Sequence, residues 1–125
     1  MTVRRTILAG LLATLAMPAI AQSVKLQNHE IMALLSGNTA VGTWAGANYR
    51  QYFNPDGTAI YAQEGSRSAL GAWRVQNNTY QSIWQSDAEW EGWFVMEFGG
   101  DFYWVSKTTP PTPFTLVAGK QLVAN

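Results

Sequence analysis

The sequence contains no cysteine and one histidine in 125 residues. That removes disulfides, thiolate nucleophiles and nearly every zinc site, because these need sulfur or clustered imidazole. Charged residues are sparse, 13% of the chain, and balanced at eight basic against eight acidic side chains. Two of the basic residues, Arg4 and Arg5, fall in a segment read below as a removable leader, leaving a slightly acidic remainder. Nucleic acid and anionic membrane surfaces are held by clustered lysine and arginine, so neither is expected as a partner. No glycine-rich phosphate loop runs into a helix, and no serine stands in a nucleophile-elbow setting. No cofactor and no metal is implied.

Long apolar runs are also scarce. The one present, Ile7–Met17, follows the basic Met1–Arg5 and precedes Ala19-Ile20-Ala21, a small-x-small cleavage pattern. This is the layout of a signal peptide. The run is too short to span a bilayer comfortably, and Pro18 interrupts it. Residues 1–21 are therefore expected to be cleaved, with no membrane anchor afterwards and a periplasmic or secreted bacterial destination. Residues 22–27 then form a flexible lead, and residues 28–125 a single β-domain.

What the chain has in quantity is aromatic residues: six tryptophans, five tyrosines and five phenylalanines. They fall in short alternating runs separated by turn residues. Asn54-Pro55-Asp56-Gly57 is a hairpin turn. Pro55 pre-sets φ, the Asn54 and Asp56 side chains bond nearby backbone, and Gly57 adopts the left-handed conformation. If Asn54 faces Thr58, Tyr52 and Ile60 share one face, and Phe53, Ala59 and Tyr61 the other. Both faces are partly apolar, so alternation leaves the inward one open. Gly71–Val75 and Thr79–Trp84 pair across Asn77-Asn78, which puts Trp73, Val75, Tyr80, Ser82 and Trp84 on the core face. Trp93–Phe98 and Asp101–Val105 form a third hairpin across Gly99-Gly100.

Before these strands, Asn28–Leu35 reads as a short helix capped by Asn28, striped by Ile31, Leu34 and Leu35, and ended at Gly37. Gly42–Gly46 opens the sheet. At the far end, Phe114–Val117 and Lys120–Val123 form a last strand pair hinged at Gly119. About eight short strands after one short N-terminal helix give an all-β fold, either a small antiparallel barrel or a strongly curled meander.

Leu35-Ser36-Gly37-Asn38-Thr39, Tyr52-Phe53-x-x-Asp56-Gly57-Thr58, Gly71-x-Trp73-Arg74-Val75 and Trp84 together resemble small exported proteobacterial proteins of unknown function. The resemblance spans about Leu34 to Trp104. It implies export and a β-rich fold, and lends no reaction. Proteins of that kind often carry two cysteines. This chain has Gln81 near the first expected place and none in Glu91–Phe94, so no disulfide is implied. Gly42-x-Trp44 after a short helix is also similar to lipocalin-type barrels.

The candidate chemistry is thin. His29 beside Glu30 reads as solvated surface. Glu89 and Glu91 are the plausible acid–base pair; in an extended segment they share a face roughly 7 Å apart, within glycosidase range. Trp90 and Trp93 set apolar rings among polar neighbours, the arrangement that stacks on sugars or grips a peptide. Tyr49, Tyr52 and Tyr61 are candidates to line an interior cavity, against the default that a small barrel fills itself with side chains. The expected function is a non-enzymatic binding module for a protein, a glycan or a small apolar molecule, with Trp90, Trp93, Glu89, Glu91, Tyr52 and Tyr61 as candidate contacts. The alternatives are a weak carbohydrate-acting hydrolase using Glu89 and Glu91, and an envelope structural or stress protein with no small ligand.

Overall fold

A computed structural model describes residues 22–123; the leader expected over residues 1–21 lies outside them. The elements run β1 (Val24–Lys25), α1 (Asn28–Leu35), β2 (Asn38–Trp44), β3 (Ala47–Phe53), β4 (Thr58–Gln63), β5 (Ala69–Gln76), β6 (Thr79–Trp84), β7 (Glu91–Phe98), β8 (Asp101–Val105) and β9 (Thr112–Ala118). From β2 to β9 each strand pairs antiparallel with the next, and β9 also pairs with β2. The fold is all-β: a closed eight-stranded antiparallel barrel, with β1 as an additional strand and one short helix. Closure pairs both edges of every barrel strand, which removes the open edge on which sheets aggregate.

Turn chemistry sets the register. Asn54 Oδ1 accepts from the Asp56 N–H, and Asp56 Oδ1 accepts from the Thr58 N–H and hydroxyl. Tyr52 then faces Ile60 and Phe53 faces Ala59. Phe53 and Ala59 are fully buried, which decides the face the sequence left open: Phe53, Ala59 and Tyr61 point inward and Tyr52 outward. Asn77 and Asn78 both take positive φ, 53° and 56°, as their hairpin requires. The turn between β2 and β3 departs from expectation. The strand expected over Gly42–Gly46 instead begins at Asn38 and ends at Trp44. Ala45 and Gly46, at φ 51° and 83°, form a two-residue turn back into β3. Alanine rarely adopts that conformation, so its letter does not announce the turn.

Both ends of the described chain also differ from the sequence reading. Within the expected flexible lead, Val24 and Lys25 pair with Glu97 and Met96, and the Leu26 N–H donates to the Val95 carbonyl at 2.9 Å. One edge of β7 is thus shared, with β6 on Glu91–Trp93 and β1 on Met96–Glu97. At the other end, Lys120–Val123 is not a strand; β9 alone spans Thr112–Ala118, and the tail is pinned outside the barrel. Thr39 Oγ1 donates to the Gly119 carbonyl at 2.6 Å and accepts from the Gln121 N–H at 3.0 Å. Arg50 Nη1 donates to the Gln121 carbonyl. These contacts bury Thr39 completely.

Helix α1 closes one end of the barrel. Its N-cap is Gln27 rather than Asn28, and the Gln27 N–H donates to Glu30 Oε1 at 2.8 Å. Asn28 instead exchanges two hydrogen bonds with Asn78, each backbone N–H donating to the other's side-chain oxygen. That contact anchors the helix to the β5–β6 turn. Ile31 and Leu35 are fully buried, and Leu34 packs against the same cluster. An eight-residue helix does not persist alone in water; docking this stripe on the barrel interior holds it.

Candidate ligand cavity

The end of the barrel opposite α1 is open. The Ala45-Gly46 turn and the longer loops after β4, β6 and β8 surround its mouth. Behind them lies a cavity of about 350 Å³, at the small end of the roughly 300–1,000 Å³ typical of small-molecule sites. Small barrels fill themselves with side chains by default. This one does so only in the half next to the helix, around Phe53, Ile31, Leu35 and Val95.

The inner wall is polar and fully partnered. Tyr49, Tyr80, Gln51 and Ser82 are all buried. Gln51 Nε2 donates to Tyr80 Oη at 2.6 Å, and Trp104 Nε1 donates to Tyr49 Oη at 2.9 Å. An indole N–H can only donate, so the Tyr49 oxygen accepts and its own hydrogen is left to give away. Burial pushes the Tyr80 phenol up to about 12, with bonds from Ser82 and Gln51 opposing and nearby Tyr49 and Glu91 adding to the rise. Burial likewise pushes Tyr49 up to about 12, against the bond from Trp104. Tyr61 is also raised by burial. All three phenols are neutral donors at physiological pH.

Aromatic rings make the side walls. Tyr49 stacks on Tyr61 at 5.4 Å, and Tyr61 meets Trp84 edge-on at 5.9 Å. Trp44 on β2 and Trp93 on β7 lie three strands apart in the ring, yet their indoles touch in a T at 5.7 Å and 89°. They bridge the mouth.

Two glycines make room for these rings. A Cβ at Gly42 would sit 2.8 Å from Tyr49 Oη, and one at Gly71 would lie 2.4 Å from Trp84 Cε3 and 2.5 Å from the Ile83 carbonyl oxygen. The second clash involves backbone and has no easy relief. Gly71→Ala is expected to lower stability by about 1–3 kcal/mol, the usual penalty of overpacking. It should also displace Trp84, shifting the intrinsic fluorescence maximum along with the urea midpoint. An unchanged midpoint would rule out this close approach.

The structure divides the six candidate contacts evenly. Tyr61, Glu91 and Trp93 line the cavity. Tyr52 faces outward, with the Lys120 ammonium 5.9 Å from its ring centroid. Trp90 lies outside the cavity, where the Arg74 guanidinium sits 4.0 Å over its ring and Arg74 Nε donates to Gln81 Oε1. Glu89 is exposed in the loop before β7 and does not line the cavity, so the two carboxylates are not brought together there. His29 is exposed. The sequence reading overlooked Gln51 and did not name Trp44, Ser82 or Trp104 as contacts. Gln51 lies two residues from both Tyr49 and Phe53, so strand alternation places it on their face once Phe53 is known to point inward.

Among the described residues no three His, Cys, Asp or Glu side chains gather to hold a metal ion. No helix among them is long and apolar enough to cross a membrane. Comparison of the chain with protein-family models, with curated proteins and with solved structures finds no match.

Proposed function

We propose that this protein is an exported, non-enzymatic binding module whose barrel holds one small, flat, largely apolar guest. The observation that carries the reading is the cavity itself, open at one end, walled by aromatic rings and backed by neutral phenol donors. Aromatic walls supply contact area, and a few fixed polar groups orient the guest, which is how small-molecule sites divide the work. Of the wider set of ligands, a glycan stacked on Trp90 has less support, because Arg74 already covers a face of that ring. A hydrolase built on Glu89 and Glu91 has less support too, because only Glu91 reaches the cavity.

The test uses N-phenyl-1-naphthylamine, a neutral aromatic probe that brightens in apolar surroundings. It should bind saturably at one equivalent per chain. Ala69 lines the cavity, and Ala69→Trp should fill the space and weaken binding about tenfold or more, an indole-sized loss of apolar contact. Trp90→Ala should leave binding intact. Absence of saturable binding, or full binding to a folded Ala69→Trp variant, would refute the reading.

A further inference from the structure

We propose that the cavity selects a small aromatic organic cation, an ammonium-bearing ring compound, with Glu91 as its counter-charge. This rests on the cavity reading above and goes beyond it by assigning the sign of the guest.

The first support is the make-up of the wall. Seven lining side chains are aromatic, one is a carboxylate, and none is lysine, arginine or histidine. Aromatic faces carry negative potential and attract cations, most strongly where water is displaced. Trp44 and Trp93 meet edge to face, so their mutual contact covers a single indole face.

The second support is the placement of Glu91. It begins β7 directly opposite Ser82, on the inward side of the strand, and its charge is felt at the Tyr80 phenol. Glu91 is itself exposed while the cavity is open to water. A neutral guest in the mouth would strip water from this carboxylate and give nothing back, whereas a cationic guest pairs with it. An anionic guest would meet a like charge and no cation.

The third support is how the chain uses its own cations. Lys25 sits over Phe94, Arg74 over Trp90 and Lys120 over Tyr52. None of these three rings lines the cavity. Three of the six basic side chains among the described residues thus lie over rings outside the cavity, and none lies over a ring inside it.

Phenyltrimethylammonium and tert-butylbenzene have nearly the same shape and differ in charge, so titrating both, with phenylacetate as the anion, isolates the sign. Tryptophan fluorescence should report phenyltrimethylammonium binding at least about tenfold tighter than tert-butylbenzene, the scale of a desolvated cation–aromatic contact. Phenylacetate should not bind. Glu91→Gln, at an exposed position, should cut that preference by about threefold or more, the share of the carboxylate, and leave the share carried by the rings. If tert-butylbenzene matches or exceeds the cation, or if N-phenyl-1-naphthylamine binds and the cation does not, selection by charge is overturned while the cavity reading survives. A preference that persists unchanged in Glu91→Gln overturns the role given to the carboxylate. Failure of all four probes defeats both readings.

Discussion

As the pH rises through 10 and past 12 the barrel is expected to lose about 5 kcal/mol of folding stability, at ~1.36 kcal/mol per pKa unit for each of two phenols. Tyr49 and Tyr80 are both raised from 10.0 to about 12, mainly by burial. Below pH 10 the folded and unfolded chains both keep these protons, so the stability is fully present. Above pH 10 the unfolded chain releases them and the folded chain does not, so stability falls until the pH passes the folded value. A loss of that size is comparable with the whole stability of a small domain, roughly 5–15 kcal/mol. Alkaline unfolding should therefore coincide with late phenolate absorbance from two tyrosines. Tyr80→Phe should remove one of them and reduce the alkaline loss by about half. Ionisation of every tyrosine near pH 10 with the fold intact would contradict the buried phenols.

Phe53→Ala should cost about 3–5 kcal/mol, the range for truncating a fully enclosed aromatic side chain. Phe53 has no exposed surface, and Trp73, Tyr80 and Trp104 surround its ring at 5.4, 5.5 and 6.3 Å. It separates the helix-plugged half of the interior from the cavity, so its loss should also free Tyr80 from one side. Chemical denaturation followed by tryptophan fluorescence measures the cost, and Phe53→Leu, which keeps more of the buried volume, should cost clearly less. A change below about 1 kcal/mol for Phe53→Ala would show that this position is not the centre of the packed half.

The readable parts of this fold are those where side-chain chemistry fixes backbone angles locally. Asn54–Gly57, Asn77-Asn78 and Gly99-Gly100 announce their turns through residues that bond backbone or tolerate positive φ. Ala45 holds the same kind of angle without such chemistry, so its hairpin stayed hidden. Strand β1 is two residues joined through backbone atoms, which any letters satisfy. The tail is held by a threonine hydroxyl and an arginine far back in the chain, and no nearby residue signals either contact.

The site follows the same division. Tyr61 and Trp93 lie at inward strand positions within reach of pattern alone, whereas Glu91 precedes the strand expected from Trp93 and turns inward because β7 already begins there. Trp90 looked like a ligand contact because its partner, Arg74, comes from a different strand. Gln51 drew no attention in the sequence, because a polar residue in mid-strand is ordinarily exposed, and here it is buried. That the interior is half hollow is not written in composition. It depends on where the rings go: Trp104 lies flat on Phe114 at 3.9 Å, part of the wall and not of the void.

The clasp formed by Thr39, Gly119 and Gln121 sits on the seam where β9 meets β2, joining residues 80 and 82 positions apart. All other neighbours around the ring are consecutive in sequence, so each can zip from its own connection. The seam alone must bring distant ends of the meander together against chain entropy. The ring is therefore expected to form as an open, curling ribbon and to shut last at this buckle. Residues outside the cylinder thus guard its integrity as much as those within.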